Sequence, residues 1–166
     1  MARLLLVTTL GFVLIAMSGC DPKDRRAGTW LTGDVVTKPV SDWTFTNDYN
    51  EIFVETRTWY FVPHSVTTTV VTSGGTLYVP SLYKDGGEFP SERFWNRNIA
   101  RDPNVRLKIG EDIYERRASL VTDPAERARV LAAFAAKYDR WRDMLKDGEP
   151  ARPKIILLRM DPREPS

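Results

Sequence analysis

Few side chains in this sequence have a type and spacing that could do chemistry. Cysteine occurs once, at Cys20, and histidine once, at His64. A lone thiol forms no internal disulfide, so Cys20 is a buried structural residue, a reactive group or a point of covalent attachment. A lone imidazole can ligate a metal or haem, or donate a proton; with no second ligand at helical spacing, His64 reads first as a surface or strand-end residue. Thr67, Thr68 and Thr69 offer three successive hydroxyls, strand formers first and hydrogen-bond donors second. Asp42 and Asp48 sit in an aromatic-rich stretch, and no acid pair has a spacing that specifies hydrolysis. Gly-x-Ser-x-Gly, His-Glu-x-x-His, phosphate-loop and Cys-x-x-Cys patterns are all absent. No catalytic acid or base can be named on residue type and spacing alone.

The surroundings of Cys20 favour covalent attachment. Arg3 precedes an almost wholly apolar run, Leu4 to Met17, and small residues Ser18 and Gly19 lead to the cysteine. A positive start, an apolar centre and a small-residue exit are the parts of a secretory signal, and the run is shorter than the ~20 residues of a bilayer-spanning helix. Met17-Ser18-Gly19-Cys20 resembles the lipobox of bacterial lipoproteins, with Met17 where Leu is usual. That resemblance implies cleavage before Cys20, lipid on its sulfur and an exported protein anchored to a membrane on the periplasmic side or cell surface. Without an Arg-Arg pair before the apolar run, export follows the unfolded route, and any cofactor is acquired afterwards.

The 166 residues carry 24 Lys+Arg against 22 Asp+Glu. This near-balance, with no basic stripe interleaved with aromatics, gives no electrostatic case for nucleic acid. The expected organisation is a signal over residues 1–19, a polar tether over 20–40 and one domain over 41–166.

Several elements must position whatever site the domain carries. Trp43, Phe45 and Tyr49 are placed to cap a core edge. EIFVETRTWYF, 51–61, reads as a strand that Pro63 ends, and SVTTTVVTS, 65–73, as a strand with Val66, Thr68 and Val70 on one face. Gly74-Gly75 is a hairpin signal before the return strand 76–83. Ser91 can cap a short helix running to Arg101. Residues 105–110 and 113–121 read as a hairpin, with Arg116-Arg117 on a solvated face. Asp123-Pro124-Ala125-Glu126 opens a long helix, whose stripe of Val130, Phe134, Tyr138, Trp141 and Leu145 packs inward to a stop at Gly148. Residues 154–162 form a last buried strand. Short strands with tight turns and two packed helices favour a small barrel over a parallel sheet.

The order and spacing of these pieces resemble the flavin-binding split-barrel superfamily, which includes pyridoxamine-phosphate-oxidase-like and deazaflavin-dependent nitroreductase-like proteins. The marks are the Gly-Gly hairpin before an aromatic strand, Asn98-Ile99 followed by Asp102-Pro103 and an apolar strand, and Thr122-Asp123-Pro124-Ala125-Glu126-Arg127 opening the long helix. Pro63-His64 stands where many members carry a Pro-His pair. The resemblance covers about residues 41–161. It implies an α+β fold: a six-stranded Greek-key split β-barrel with one short and one long helix. It also implies a homodimer, with the flavin in a groove between two barrels. Carried across, the cofactor-binding positions are Thr67, Thr68, Thr69 and Ser81 on the strands, and Arg93, Arg97 and Asn98 on the helix.

One departure bears on the cofactor. Members with a Ser-x-Lys-x-x-Asn pattern ending at the Asn98 position have Ser and Lys where this sequence has Arg93 and Trp95. Arg93 can supply the missing charge to a phosphate, or Trp95 can fill the groove. The resemblance thus implies an FMN-dependent oxidoreductase of a small molecule, with deazaflavin less favoured in an exported protein. The rival readings are a cofactor-free barrel that binds a ligand or protein, and haem binding through His64.

Overall fold

Strands pair here because apolar side chains are buried on both faces of one curved sheet. The computed structural model describes Gly28, residues 30–84 and residues 87–163; the apolar leader, Cys20 and most of the early tether lie outside the described residues. Eight strands are present: β1 (Asp34–Val35), β2 (Ile52–Arg57), β3 (Pro63–Thr68), β4 (Val71–Ser73), β5 (Thr76–Tyr83), β6 (Asn104–Ile109), β7 (Asp112–Leu120) and β8 (Lys154–Pro162). The helices are α1 (Phe94–Arg101), α2 (Pro124–Lys137) and α3 (Asp139–Leu145), with a 3-10 turn over Thr44–Asp48. The sheet runs β3-β2-β6-β7-β8-β5-β4, all antiparallel, and β1 adds to β7 in parallel. This is the expected α+β split barrel. Its six longer strands have six to nine residues, and short β1 and β4 raise the count from six to eight.

Alternation in β5 and β8 explains their unbroken apolar character. Leu77, Val79, Leu158 and Met160 point into the barrel with Ile52, Val54, Val105 and Leu107. Their neighbours Tyr78, Ile155 and Leu157 point outward against Val130, Phe134 and Trp141 of the helices. A strand covered on both faces needs apolar residues at successive positions. Trp43 joins the inner core at 3% exposure, as the aromatic-rich segment suggests. The outer face also buries Tyr78, whose hydroxyl donates to Glu126 at 2.8 Å; burial pushes that phenol up to about 12.

The two edge strands, β3 and β4, are consecutive in the chain. The expected single strand over 65–73 bends at Thr69-Val70, so the sheet curls until its edges meet. The cause is tertiary. The Tyr138 hydroxyl accepts from Val70 N at 3.1 Å and lies 2.8 Å from Val70 O, while Lys137 Nζ donates to Val70 O, Thr46 O and Tyr49 O. Val70's backbone groups are thereby satisfied without a strand partner. The same contacts divide the expected long helix. Asp123 caps α2 by accepting from Glu126 N at 2.6 Å, with Pro124 in the first turn. Tyr138 then turns extended (φ −125°, ψ 124°), and the helix resumes as α3, where Trp141 stacks on Phe134 at 4.4 Å.

Other boundaries differ from the sequence reading. The strand from 52 ends at Arg57, residues 58–62 form a hairpin tip, and Pro63 opens β3 instead of closing β2. Helix α1 starts at Phe94 rather than beside Ser91, with Arg93 as its extended N-cap residue. Arg116 is half-buried, its guanidinium 4.7 Å over the Trp43 ring and its Nε buried without a partner, rather than on a solvated face. Burial without a carboxylate lowers its pKa.

The described part of the expected tether is a strap bound to the barrel. Gly28 exchanges bonds with Ser65: Gly28 N donates to Ser65 Oγ at 2.7 Å, and Ser65 N donates to Gly28 O at 2.8 Å. The buried Glu55 carboxylate accepts from Leu31 N and pairs with Arg106 at 3.0 Å. Lys108 Nζ donates to Thr32 O at 2.7 Å, and Asp34–Val35 pairs with β7. The strap thus crosses β3, β2, β6 and β7 in turn.

Candidate functional site

A groove of about 1170 Å³ opens where the barrel edges approach each other. One wall is the end of β3 and the bend beyond it, carrying Val66, Thr67, Thr68 and Thr69. Facing it are Pro80, Ser81 and Leu82 of β5 and the start of α1, with Arg93 and Trp95. Tyr138, Arg140, Trp141 and Met144 close one end, and Asn50 and Glu51 lie at the mouth. Thr68 Oγ1 donates to Pro80 O at 3.3 Å, bridging β3 to β5 where no ladder joins them.

Five of the seven expected positions meet here: Thr67, Thr68, Thr69, Ser81 and Arg93. Thr67 is exposed, Thr68 and Thr69 are half-buried, and Ser81 is buried. Arg93 directs Nε and Nη2 to Leu82 O at 3.1 and 2.7 Å. A guanidinium has five N–H donors, so others remain available; among the described residues no carboxylate is ion-paired with it. Ser81 Oγ accepts from Asn96 Nδ2 at 2.8 Å, and the same amide reaches Tyr83 OH at 2.7 Å. Asn96 Oδ1 is buried without a partner.

Arg97 and Asn98 are placed elsewhere. Arg97 is exposed, donates to Ser91 O at 2.6 Å and lies 5.4 Å over the Phe94 ring. Asn98 is buried, and its amide donates to Thr56 Oγ1 at 3.0 Å, which fastens α1 to β2. Trp95, 7% exposed, belongs to the inner core and is also a lining residue of the groove, which stays open at about 1170 Å³. Tyr138 and Trp141, expected only as core packing, also line the groove. Their helical stripe was visible; the break at Tyr138 that turns them to the groove has no local signal.

His64 is not among the lining residues. Its ring meets Phe94 edge-on at 5.1 Å, and its Nδ1 is buried without a partner. Burial lowers its pKa below the ordinary 6.5. Among the described residues no cluster of three or more His, Cys, Asp and Glu side chains could hold a metal ion.

The groove's residues suit a phosphorylated, flat aromatic group. A phosphate is met by guanidinium and hydroxyl donors, a planar ring by the apolar Trp95, Leu82 and Met144 side chains, and its heteroatoms by threonine hydroxyls. Glu51 is the one carboxylate among the groove's lining residues, which include no thiol and no imidazole.

No family model and no curated protein matches the sequence. Solved structures do. The chain is similar to a conserved hypothetical protein from Mycobacterium tuberculosis, with a TM-score of 0.56 at 19% identity over 82% of this chain and 87% of that one. It is similar to the haem storage protein HutZ from Vibrio cholerae, with a TM-score of 0.53 at 13% identity over 73% and 87%. It is also similar to a protein from Listeria innocua assigned provisionally as a pyridoxamine 5'-phosphate oxidase, with a TM-score of 0.50 at 23% identity over 70% and 86%. At these identities the likeness is one of fold, the split barrel.

Proposed function

We propose that this protein is a split-barrel oxidoreductase that holds a flavin-type cofactor in the groove between β3, β5 and α1 and acts on a small molecule. The observation that carries the reading is the convergence of Thr67, Thr68, Thr69, Ser81 and Arg93 on one groove. In this reading Arg93 binds the cofactor phosphate, the threonine hydroxyls bond the ring's polar edge and the apolar side chains of Leu82 and Met144 flank the ring. The bound flavin would supply hydride and electron transfer; the chain's residues bind it, orient it and exclude water. FMN is favoured, and a deazaflavin is the second choice. Fold neighbours named as a provisional pyridoxamine 5'-phosphate oxidase and as a haem storage protein lend support to this reading. His64, the single imidazole, lies outside the groove, which favours flavin over haem.

Two further parts complete the proposal. A second copy of the chain covers the open groove, as split-barrel homodimers do. Cys20, lipid-modified after removal of residues 1–19, anchors the exported protein to a bacterial membrane. Among the described residues no helix is long and apolar enough to cross a membrane, so this anchoring rests on the leader sequence.

A second reading has its own support. Arg97 and Asn98 are committed elsewhere, and Trp95 stands where relatives carry Lys. A barrel without cofactor, binding a ligand or protein in the same groove, fits those facts. Titration of the purified protein with FMN separates the two. Saturable quenching of flavin fluorescence, weakened at least about tenfold by Arg93→Ala, supports the cofactor reading; no saturable quenching with FMN or deazaflavin rules it out.

A further inference from the structure

The β2–β3 hairpin tip displays the largest run of exposed aromatics in the described chain. Trp59 is 71% exposed, Tyr60 48%, Phe61 77% and Val62 40%. Trp59 and Tyr60 meet edge to face there at 5.2 Å. The tip is built, not frayed. Thr58 N and Thr58 Oγ1 both donate to Val62 O, and Phe61 N donates to Thr58 O. Phe61 is held at φ +64°, a left-handed conformation unfavourable for a bulky side chain. Strained backbone here points apolar rings at solvent.

The tip is separate from the groove. The groove uses Val66 to Thr69, the far end of β3, and the four residues from Val62 to Val66 span about 13 Å of strand. The tip residues Trp59 to Val62 are not among the groove's lining residues. The tip's base is cationic: Arg101 donates from Nη2 to Arg57 O, both residues are exposed, and among the described residues neither is ion-paired.

What covers the tip is indicated by where the described strap begins. The first described residue of the strap, Gly28, is locked to Ser65 of β3, three residues beyond Val62. Cys20 lies eight residues before Gly28 and so at most about 28 Å from it. A lipid on Cys20 places the bilayer within reach of this end of the barrel. Trp and Tyr favour the membrane–water interface, and cations at its edge favour anionic headgroups.

We propose that the Trp59–Val62 tip inserts into the interfacial zone of a lipid bilayer as a second membrane contact beside the Cys20 anchor. This rests partly on the anchored reading above. Two contacts set the barrel upright, with the groove at the far end of β3 facing away from the lipid.

The test uses the full chain reconstituted in vesicles of equal parts phosphatidylglycerol and phosphatidylcholine with brominated acyl chains, which quench nearby indoles. The expected result is partial quenching of tryptophan emission that Trp59→Ser abolishes and Trp30→Phe leaves in place. Chain that floats with the vesicles but shows no Trp59-dependent quenching overturns the insertion and spares the anchor. Quenching that persists when mass spectrometry finds no lipid on Cys20 sustains the insertion and overturns the anchor. Chain that does not float overturns both. Trp59 emission that depends on protein concentration in detergent, not on bromolipid, overturns the proposal in favour of a second copy at the tip.

Discussion

Replacing Tyr138 with Phe removes one oxygen and leaves the ring on Phe134, so it isolates the hydroxyl that fixes the groove. That hydroxyl is the partner of Val70 N–H at 3.1 Å, and it also lies 2.8 Å from Val70 O and 3.0 Å from Asn50 O. Val70 is fully buried. Its carbonyl keeps Lys137 Nζ at 3.0 Å, but its N–H keeps no partner in the described residues. An orphaned buried donor costs about 1–3 kcal/mol. With a urea slope of about 2 kcal/mol per molar, a loss of about 2 kcal/mol lowers the midpoint by about 1 M at unchanged slope. Equilibrium urea unfolding followed by tryptophan emission measures it. Lys137→Met attacks the same bend, and because both side chains meet at Val70 O, the double variant should lose less than the sum of the singles. Flavin binding by Tyr138→Phe should weaken as well, since Thr69, next to Val70, and Tyr138 itself line the groove. A midpoint within about 0.2 M of the parent would mean that water already serves Val70 N–H, and that the bend does not depend on the tyrosine.

Three other changes have expected outcomes. His64 is held below its ordinary pKa of 6.5 by burial, so the unfolded chain takes up the proton first; stability should be full above about pH 6.5 and fall as pH drops through that value toward the lower folded pKa, and His64→Gln should flatten this part of the pH–stability curve. Asp123→Ala removes the α2 cap and should cost about 1 kcal/mol, read as a lower urea midpoint, with the helical circular-dichroism signal retained below the transition. Phe61→Gly relieves the left-handed strain at an exposed position and should raise stability by up to about 1 kcal/mol in thermal unfolding, while weakening vesicle contact.

Local signals account for what was legible in the sequence. Asp123-Pro124-Ala125-Glu126 specifies a helix start by its own hydrogen bonds, and β5 and β8 announce burial by continuous apolar residues. The bend at Val70 and the break at Tyr138 are one event between residues 68 apart, and no window around either position contains it. The part of the groove's wall from Tyr138 to Met144 follows from that event, which explains why Tyr138, Trp141 and Met144 carry no local signal as lining residues. Arg97 was misplaced for a different reason. Arg93 and Arg97 would share a face if both were helical, but Arg93 precedes α1 in an extended conformation (φ −107°, ψ 126°). Its side chain leaves toward β5, while Arg97 stays on the solvent face. Residues 28 and 30–36 carry no tether-breaking pattern in sequence; what binds them is their backbone, whose N–H and C=O groups meet Ser65, Glu55, Arg106 and Lys108.

Strand β3 joins these separate findings into one arrangement. Its first residues follow a strained aromatic tip and bind the strap; its last residues carry the threonines and turn at the Tyr138 contact. A rigid strand about 20 Å long fixes the distance between a lipid-seeking end and the groove. Glycine at position 61 would relieve strain at no packing cost, so the phenylalanine is unfavourable for the isolated fold and favourable only where its ring meets an apolar phase. If Phe61→Gly stabilises the soluble protein and at the same time reduces bromolipid quenching of Trp59, the two opposite effects of a single substitution separate a membrane role from a folding role. A substitution that stabilises the protein without altering the quenching would leave the strain at Phe61 without a membrane explanation.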